Sequence, residues 1–417
     1  MTSTERFIIV TLIVAVLFPC ICYAESAEVL PKGVFSFDAT YYHYFDIKKR
    51  YNPDGDSEDL AVDYNRNLNS NVFPDLAPLD PLVGGEASIG RSVVKFEWIY
   101  RWFEFSLAYG ITDKLSIGVL VPYNYSKNKV NARLDSSTAN VGKNPLYGTP
   151  GDPFGSPIIP IAFGGIPLIK EDVLQLLGRG LDVNGDSKID IPGFGYKRFE
   201  TWSDSMLGDI EVSAKYQFYN KGDWRFAGTV GLRLPTGKED DPDNLLDLTS
   251  GDGQTDILLR VHADYVGIKK LLLNTTIRYD IQLADKETLR VPDSVDQPIT
   301  TNKEKVDRNL GDILEFDVMG NYSFTSEIFG GLQYRFAKKF KDSVSGHRHF
   351  AYSSLEEETD PTSHMIFATL GYSTVQKYLD KKFKVPFTSC ITYRYRFAGT
   401  NNVTKSQYIA LNLAVYF

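Results

Sequence analysis

Apolar and polar positions alternate with a period of two along much of this chain. The clearest case is its end, Tyr408 to Phe417. Ile409, Leu411, Leu413, Val415 and Phe417 form one apolar row, and Tyr408, Ala410, Asn412, Ala414 and Tyr416 form a mixed one. Such a period puts the two rows on opposite faces of a β-strand. The same alternation predicts a first strand over about Val34–Phe45, with Phe35, Phe37, Ala39 and Tyr41 in one row. A hairpin follows a polar stretch: Phe103, Phe105, Leu107 and Tyr109 lead into the turn Ile111-Thr112-Asp113-Lys114, and Leu115, Ile117, Val119, Val121 and Tyr123 lead out. Four more pairs read in the same way. They are Asp209–Tyr219 with Trp224–Leu234, Asp256–Val266 with Leu271–Leu283, Ile313–Phe324 with Ile328–Lys338, and Met365–Val375 with Phe383–Phe397.

The connections alternate, short then long. The long ones are about Asp46–Gly90, Lys127–Ser205, Thr236–Thr255, Ala284–Gly311 and Lys341–Ser363. About twelve strands with this asymmetry predict an all-β fold: a transmembrane antiparallel up-and-down β-barrel, with short periplasmic turns and long extracellular loops. A soluble β-sandwich gives no reason for loop length to alternate.

Sorting the strand faces assigns the lumen. In Phe383–Phe397 one row is apolar and aromatic, while Lys384, Thr388, Thr392, Arg394 and Arg396 lie on the other. An Arg at mid-bilayer on a barrel wall costs about 2–4 kcal/mol, so the charged row faces inward. By the same rule the lumen receives Glu211, Lys215, Arg233, Arg260, His262, Asp264, Arg278, Asp280, Glu315, Asp317 and Arg335. Acids then face bases across neighbouring strands, which suits both cross-strand ion pairs that hold the wall and a polar lining for solute.

Composition sharpens this picture. A net charge of -8 makes the chain a poor candidate for binding nucleic acid, whose phosphates need basic patches. Residues 7–24 are the only long apolar run; they follow Arg6 and end in Cys22 and Ala24, so Met1–Ala24 reads as a secretory signal and 25–417 as the mature barrel. Cleavage would leave Cys390 as the lone cysteine and no internal disulfide. These features place the chain in the outer membrane of a Gram-negative cell. Its expected surroundings there are membrane lipid and lipopolysaccharide. The terminal Phe417 resembles the signal that such barrels present to their assembly machinery.

One motif suggests a metal. Asp182, Asn184, Asp186 and Asp190 stand at positions 1, 3, 5 and 9 of a calcium-type loop, with Lys188 at position 7 and Ile189 at position 8. Ser187 replaces the usual glycine at position 6, and Gly193 replaces the bidentate acid at position 12. The expected Ca2+ affinity is weak, about 10⁻⁴–10⁻³ M. The alternative is an Asp- and Asn-rich turn that binds nothing. Asp240, Asp241, Asp243 and Asp247 form a second acidic loop, read as a solvated tip or as a divalent bridge to lipopolysaccharide. His347 and His349, two apart in an outer loop, offer a weak transition-metal candidate. Nothing in the chain forms a Gly-x-Ser-x-Gly elbow, and an enzyme is not expected.

Three stretches carry a family likeness. They are Tyr109-Gly110-Ile111-Thr112-Asp113-Lys114-Leu115 followed by Val121-Pro122-Tyr123, then Leu207-Gly208-Asp209-Ile210, and then Leu234-Pro235-Thr236-Gly237 leading to Ser250-Gly251-Asp252-Gly253. Together they resemble outer-membrane proteins of the family named for a phenol-degradation pathway, relatives of the long-chain fatty acid transporters. The resemblance implies passive uptake of small hydrophobic or aromatic solutes. About eight residues precede the first strand, too few for an amino-terminal plug; Pro157–Gly165 in the long loop offers a plug or a hydrophobic capture surface instead. The rival reading is a structural or adhesive surface protein with a filled barrel and calcium-braced loops.

Overall fold

The computed structural model describes residues 26–417, so the signal sequence read at Met1–Ala24 lies outside the described residues. Twelve strands make the barrel: β1 (Phe35–Tyr44), β2 (Ser88–Thr112), β3 (Leu115–Asp135), β4 (Ile210–Lys221), β5 (Trp224–Leu234), β6 (Asp256–Ile268), β7 (Leu271–Gln282), β8 (Ile313–Ser323), β9 (Ile328–Lys339), β10 (Thr362–Ser373), β11 (Phe387–Gly399) and β12 (Gln407–Tyr416). Each pairs antiparallel with the next. β12 closes on β1, from Ser36↔Tyr416 to Tyr44↔Tyr408, so no edge is left to the lipid. Phe417 stacks on Phe35 with ring centroids 5.7 Å apart, which extends that seam to the turn end.

The outward row is apolar, as lipid demands. Val261, Leu332, Leu370 and Leu411 are more than half exposed on the isolated chain. Between them the inward row carries the polar groups. Short turns at 113–114, 222–223, 269–270 and 324–327 mark one end. The turn from β10 to β11 is longer and holds a short helix, Val375–Leu379; Phe383 and Val385 belong to that turn and not to the wall.

β2 and β3 run to 25 and 21 residues, where a membrane-spanning strand needs about 9–11. The excess rises past the bilayer. Val94 and Phe96 there are buried with Ile47, Leu60, Ala61 and Leu246. The stretch from Lys127 to Asp135, expected as loop, is therefore strand. A short strand, Trp202–Leu207, pairs with the upper part of β3 and runs into β4 through a break at Gly208-Asp209. The long connections form a cap with its own core: Leu68, Phe73, Ile89, Ile158, Leu176 and Leu181 are among its buried side chains. Ile158 and Ile159 are thus core of the cap, and Pro157–Gly165 does not plug the barrel.

The three family-like stretches meet at one point in the wall. Gly208 N donates to the Pro122 carbonyl at 2.9 Å, and a Cβ at Gly208 would lie 2.8 Å from Pro122 Cγ. Thr236 Oγ1 donates to the Gly208 carbonyl at 2.9 Å, and Gly237 N donates to Asp209 Oδ1 at 2.8 Å. Pro122 has no N–H to give but keeps its carbonyl as an acceptor, and Gly208 uses it at the break where β4 begins.

Candidate lumen site

The alternation that turns leucines to lipid brings the charged residues of β4 to β9 together inside. Arg233 reaches Glu211 (2.8 Å), Asp256 (2.7 Å) and Asp280 (3.1 Å), and Arg260 reaches Glu211 at 3.0 Å. The next group centres on Asp317, whose side chain is fully buried. It pairs with Arg278 and, at 2.7 Å, with Arg335; Glu315 adds contacts to the same two arginines at 3.3 and 3.5 Å. His262 is buried and hydrogen-bonded to Thr229 at 2.9 Å and Thr276 at 3.2 Å. Register explains the grouping: Glu211 faces Arg233, Arg233 faces Asp256, Arg278 faces Glu315, and Asp317 faces Arg335. Low-dielectric surroundings demand that such charges be paired.

Lys215 and Asp264 do something else. Lys215 Nζ donates to the Ser26 carbonyl at 3.0 Å, and Asp264 Oδ2 accepts from the backbone N–H of Ala27 at 3.0 Å. Gln217 Nε2 donates to the Ala27 carbonyl at 2.9 Å, and Arg225 pairs with Glu28. The residues before β1 therefore turn into the barrel and lie on the inner wall of β4, β5 and β6. The chain enters over Gly110, where a Cβ would lie 2.1 Å from the Pro31 carbonyl oxygen. Eight residues suffice for a short plug, contrary to the expectation from their number. Gln217 and Arg225 escaped the sequence reading, although each continues an inward row, two beyond Lys215 and eight before Arg233.

A cavity of about 1100 Å³ fills the remaining lumen. At the turn end it meets Leu30, Pro31, Val375, Leu379 and Phe417. At the other it stops at Tyr42, Tyr44, Trp102, Phe367 and Tyr408, below the cap. The aromatic end was not anticipated; Tyr42, Tyr44 and Tyr408 hide among many tyrosines that face lipid. Arg394 and Arg396 stand behind it, on β11.

The loop Asp182 to Asp190 spends its oxygens on its own backbone. Asp182 accepts from the N–H groups of Gly185 and Ser187, Asn184 from Asp186, Asp186 from Lys188, and Asp190 from Val183, all within 3.0 Å. Among the described residues no group of three or more His, Cys, Asp or Glu is placed to hold a metal ion. The oxygens of the expected ligand set thus also serve as Asx-type acceptors within the turn. His347 and His349 are exposed.

The second acidic loop is not a free tip. Asp243 pairs with Arg290 at 2.7 Å and Lys303 at 2.6 Å, and Asp241 with Lys197, which ties three outer connections together. Burial pushes the Asp247 carboxyl up to about 6, with Asp240 adding repulsion. Burial also pushes Glu287 up to about 7, against the pull of Arg308. Both groups bind their proton more tightly in the folded cap than in an unfolded chain. Their contribution is therefore present at low pH and is lost as pH rises from the ordinary carboxylate range through about 6 to 7. Hydrogen exchange of residues 240–250 and 285–308 should be slower at pH 5 than at pH 8, after correction for the intrinsic rate; equal protection would sink the assignment.

Known proteins align with this geometry. An outer membrane channel from Pseudomonas putida F1 superimposes with a TM-score of 0.52 at 11% identity, covering 95% of this chain and 100% of that one. A FadL homologue from Pseudomonas aeruginosa gives a TM-score of 0.37 at 10% identity over 96% and 95% of the two chains. No curated protein sequence matches the chain. The first likeness shows the fold. A family model described as "Putative MetA-pathway of phenol degradation" matches residues 165–357. The chain is an outer-membrane β-barrel that resembles this phenol-degradation family.

Proposed function

We propose that the protein is a passive outer-membrane channel for small hydrophobic or aromatic solutes. The observation that carries this reading is the lumen itself. A closed, ion-paired wall surrounds a cavity of about 1100 Å³ that is polar along its sides and aromatic at its outer end. A barrel filled only for strength would have no use for that space, since interiors otherwise pack close to solid density. The short plug and the cap narrow the path, which suits slow, selective passage rather than a wide aqueous pore. Lipid and lipopolysaccharide are the surroundings, the assembly machinery reads the Phe417 strand, and no step requires catalysis or a resident metal.

The rival, a structural or adhesive protein, draws on the cap and its independent core. Reconstituted liposomes separate the two. A channel should admit benzyl alcohol or phenol faster than protein-free liposomes do, and should give current steps in planar bilayers. Neither uptake nor current would leave the structural reading.

A further inference from the structure

Two arginines stand outside the ion-pair scheme. The arginines on β5 to β9 that face the lumen, Arg225, Arg233, Arg260, Arg278 and Arg335, each meet a carboxylate within 4 Å. Among the described residues no carboxylate lies within ion-pairing distance of Arg394 or Arg396. The two are successive inward positions of β11, so like charges sit side by side. Their described hydrogen bonds run to neutral oxygens: Arg394 to Ser406 (3.0 Å to the hydroxyl), and Arg396 to the carbonyl and hydroxyl of Thr404, both at 2.8 Å. Arg396 Nε is buried and, among the described residues, has no partner. The neighbours are Met365, Phe367, Tyr408 and Ala410, with Tyr42 and Tyr44 against them. The Arg394 guanidinium lies over the Tyr408 ring at 4.3 Å and over Tyr44 at 5.5 Å.

A buried cation without a counter-charge is costly, and two together cost more. Guanidinium planes match a carboxylate with paired donors. The cavity reaches these same rings: Tyr44, Phe367 and Tyr408 line its outer end. We propose that Arg394 and Arg396 form a carboxylate subsite there, for small aromatic acids whose ring lies on Phe367 and Tyr408. Tyr44 both lines the cavity and lies against the Arg394 guanidinium, so a turn of that one ring, with Tyr408 in place, is the movement the subsite requires. The subsite rests on the channel reading and narrows its substrate class from aromatic solutes to aromatic anions.

The test compares benzoate with benzyl alcohol, which share a ring and differ in charge. Binding to the refolded full-length protein is followed by calorimetry at low and at moderate salt. Benzoate should bind about tenfold or more tighter than the alcohol, with the difference shrinking as salt rises. Arg394→Gln with Arg396→Gln should abolish that preference and leave alcohol binding in place; heat-modifiable migration shows that the variant barrel has folded. Equal affinity for the two solutes in the unaltered protein overturns the subsite without any variant. Current steps with no benzoate preference remove the subsite and keep the channel; absence of both current and solute binding removes the channel reading and the subsite with it.

Discussion

Deleting residues 27–31 should raise single-channel conductance severalfold and leave the barrel folded. These residues lie within the lumen and not in the wall, so no ladder hydrogen bond of β1 depends on them. What they occupy is pore cross-section beside β4, β5 and β6, where Gln217 holds the Ala27 carbonyl and Asp264 its N–H. The segment's strongest tie is Glu28 to Arg225, with side chains 25% and 9% exposed. Breaking a buried pair by removing one partner costs about 3–5 kcal/mol. Arg225→Ala should therefore loosen the segment and give noisy, intermittent openings, where the deletion gives steady ones. Planar-bilayer recording distinguishes the three proteins. Conductance unchanged by the deletion would show that the cap around Leu246, and not the amino-terminal segment, sets the limiting width.

The difference between what could and could not be read beforehand follows from range. β12 declares itself because a membrane wall imposes one rule on every residue: Leu411 and Leu413 to lipid, Ala410 and Asn412 inward. The turns at 113–114 and 222–223 are equally local. Inward charges such as Arg233 and Asp317 followed from the price of an Arg in lipid. The cap is different. Ile158, Leu176 and Leu68 share one core, yet they come from segments without a common period, so only the folded chain brings them together. The upper part of β3 failed for a related reason. Above the bilayer, Asn124, Ser126 and Asn128 are buried and polar, and their alternation with Tyr125 and Lys127 no longer looks like a membrane strand. The amino-terminal plug is the extreme case, since Ala27 meets Asp264 across 237 positions. The calcium-like spacing at Asp182 matched a ligand pattern and a self-bonded turn equally well. The backbone there makes the turn that both share, with Ser187 at φ 69° and Asp182 accepting from the N–H groups of Gly185 and Ser187.

Asp317→Ala should produce the largest loss of stability in the wall. Its carboxylate sits between Arg278 and Arg335, with no exposure of its own, while the two arginines are 9% and 20% exposed. Removing it leaves two guanidiniums side by side, with Glu315 at 3.3 and 3.5 Å as their remaining counter-charge. Uncompensated buried charge of this kind costs about 3–5 kcal/mol; a solvent-exposed pair would cost about 1 kcal/mol or less. The two magnitudes are far enough apart to decide the matter by guanidinium chloride unfolding in lipid vesicles. Asp317→Asn keeps the volume and an acceptor oxygen and should lose less, because the guanidiniums retain one neutral partner. Adding Arg335→Met to Asp317→Ala removes one stranded cation and should recover part of the loss, the sign expected if the damage is charge and not a void. Asp317→Ala at about 1 kcal/mol or below would place water against the pair and make the network a solvated lining rather than a brace for the barrel.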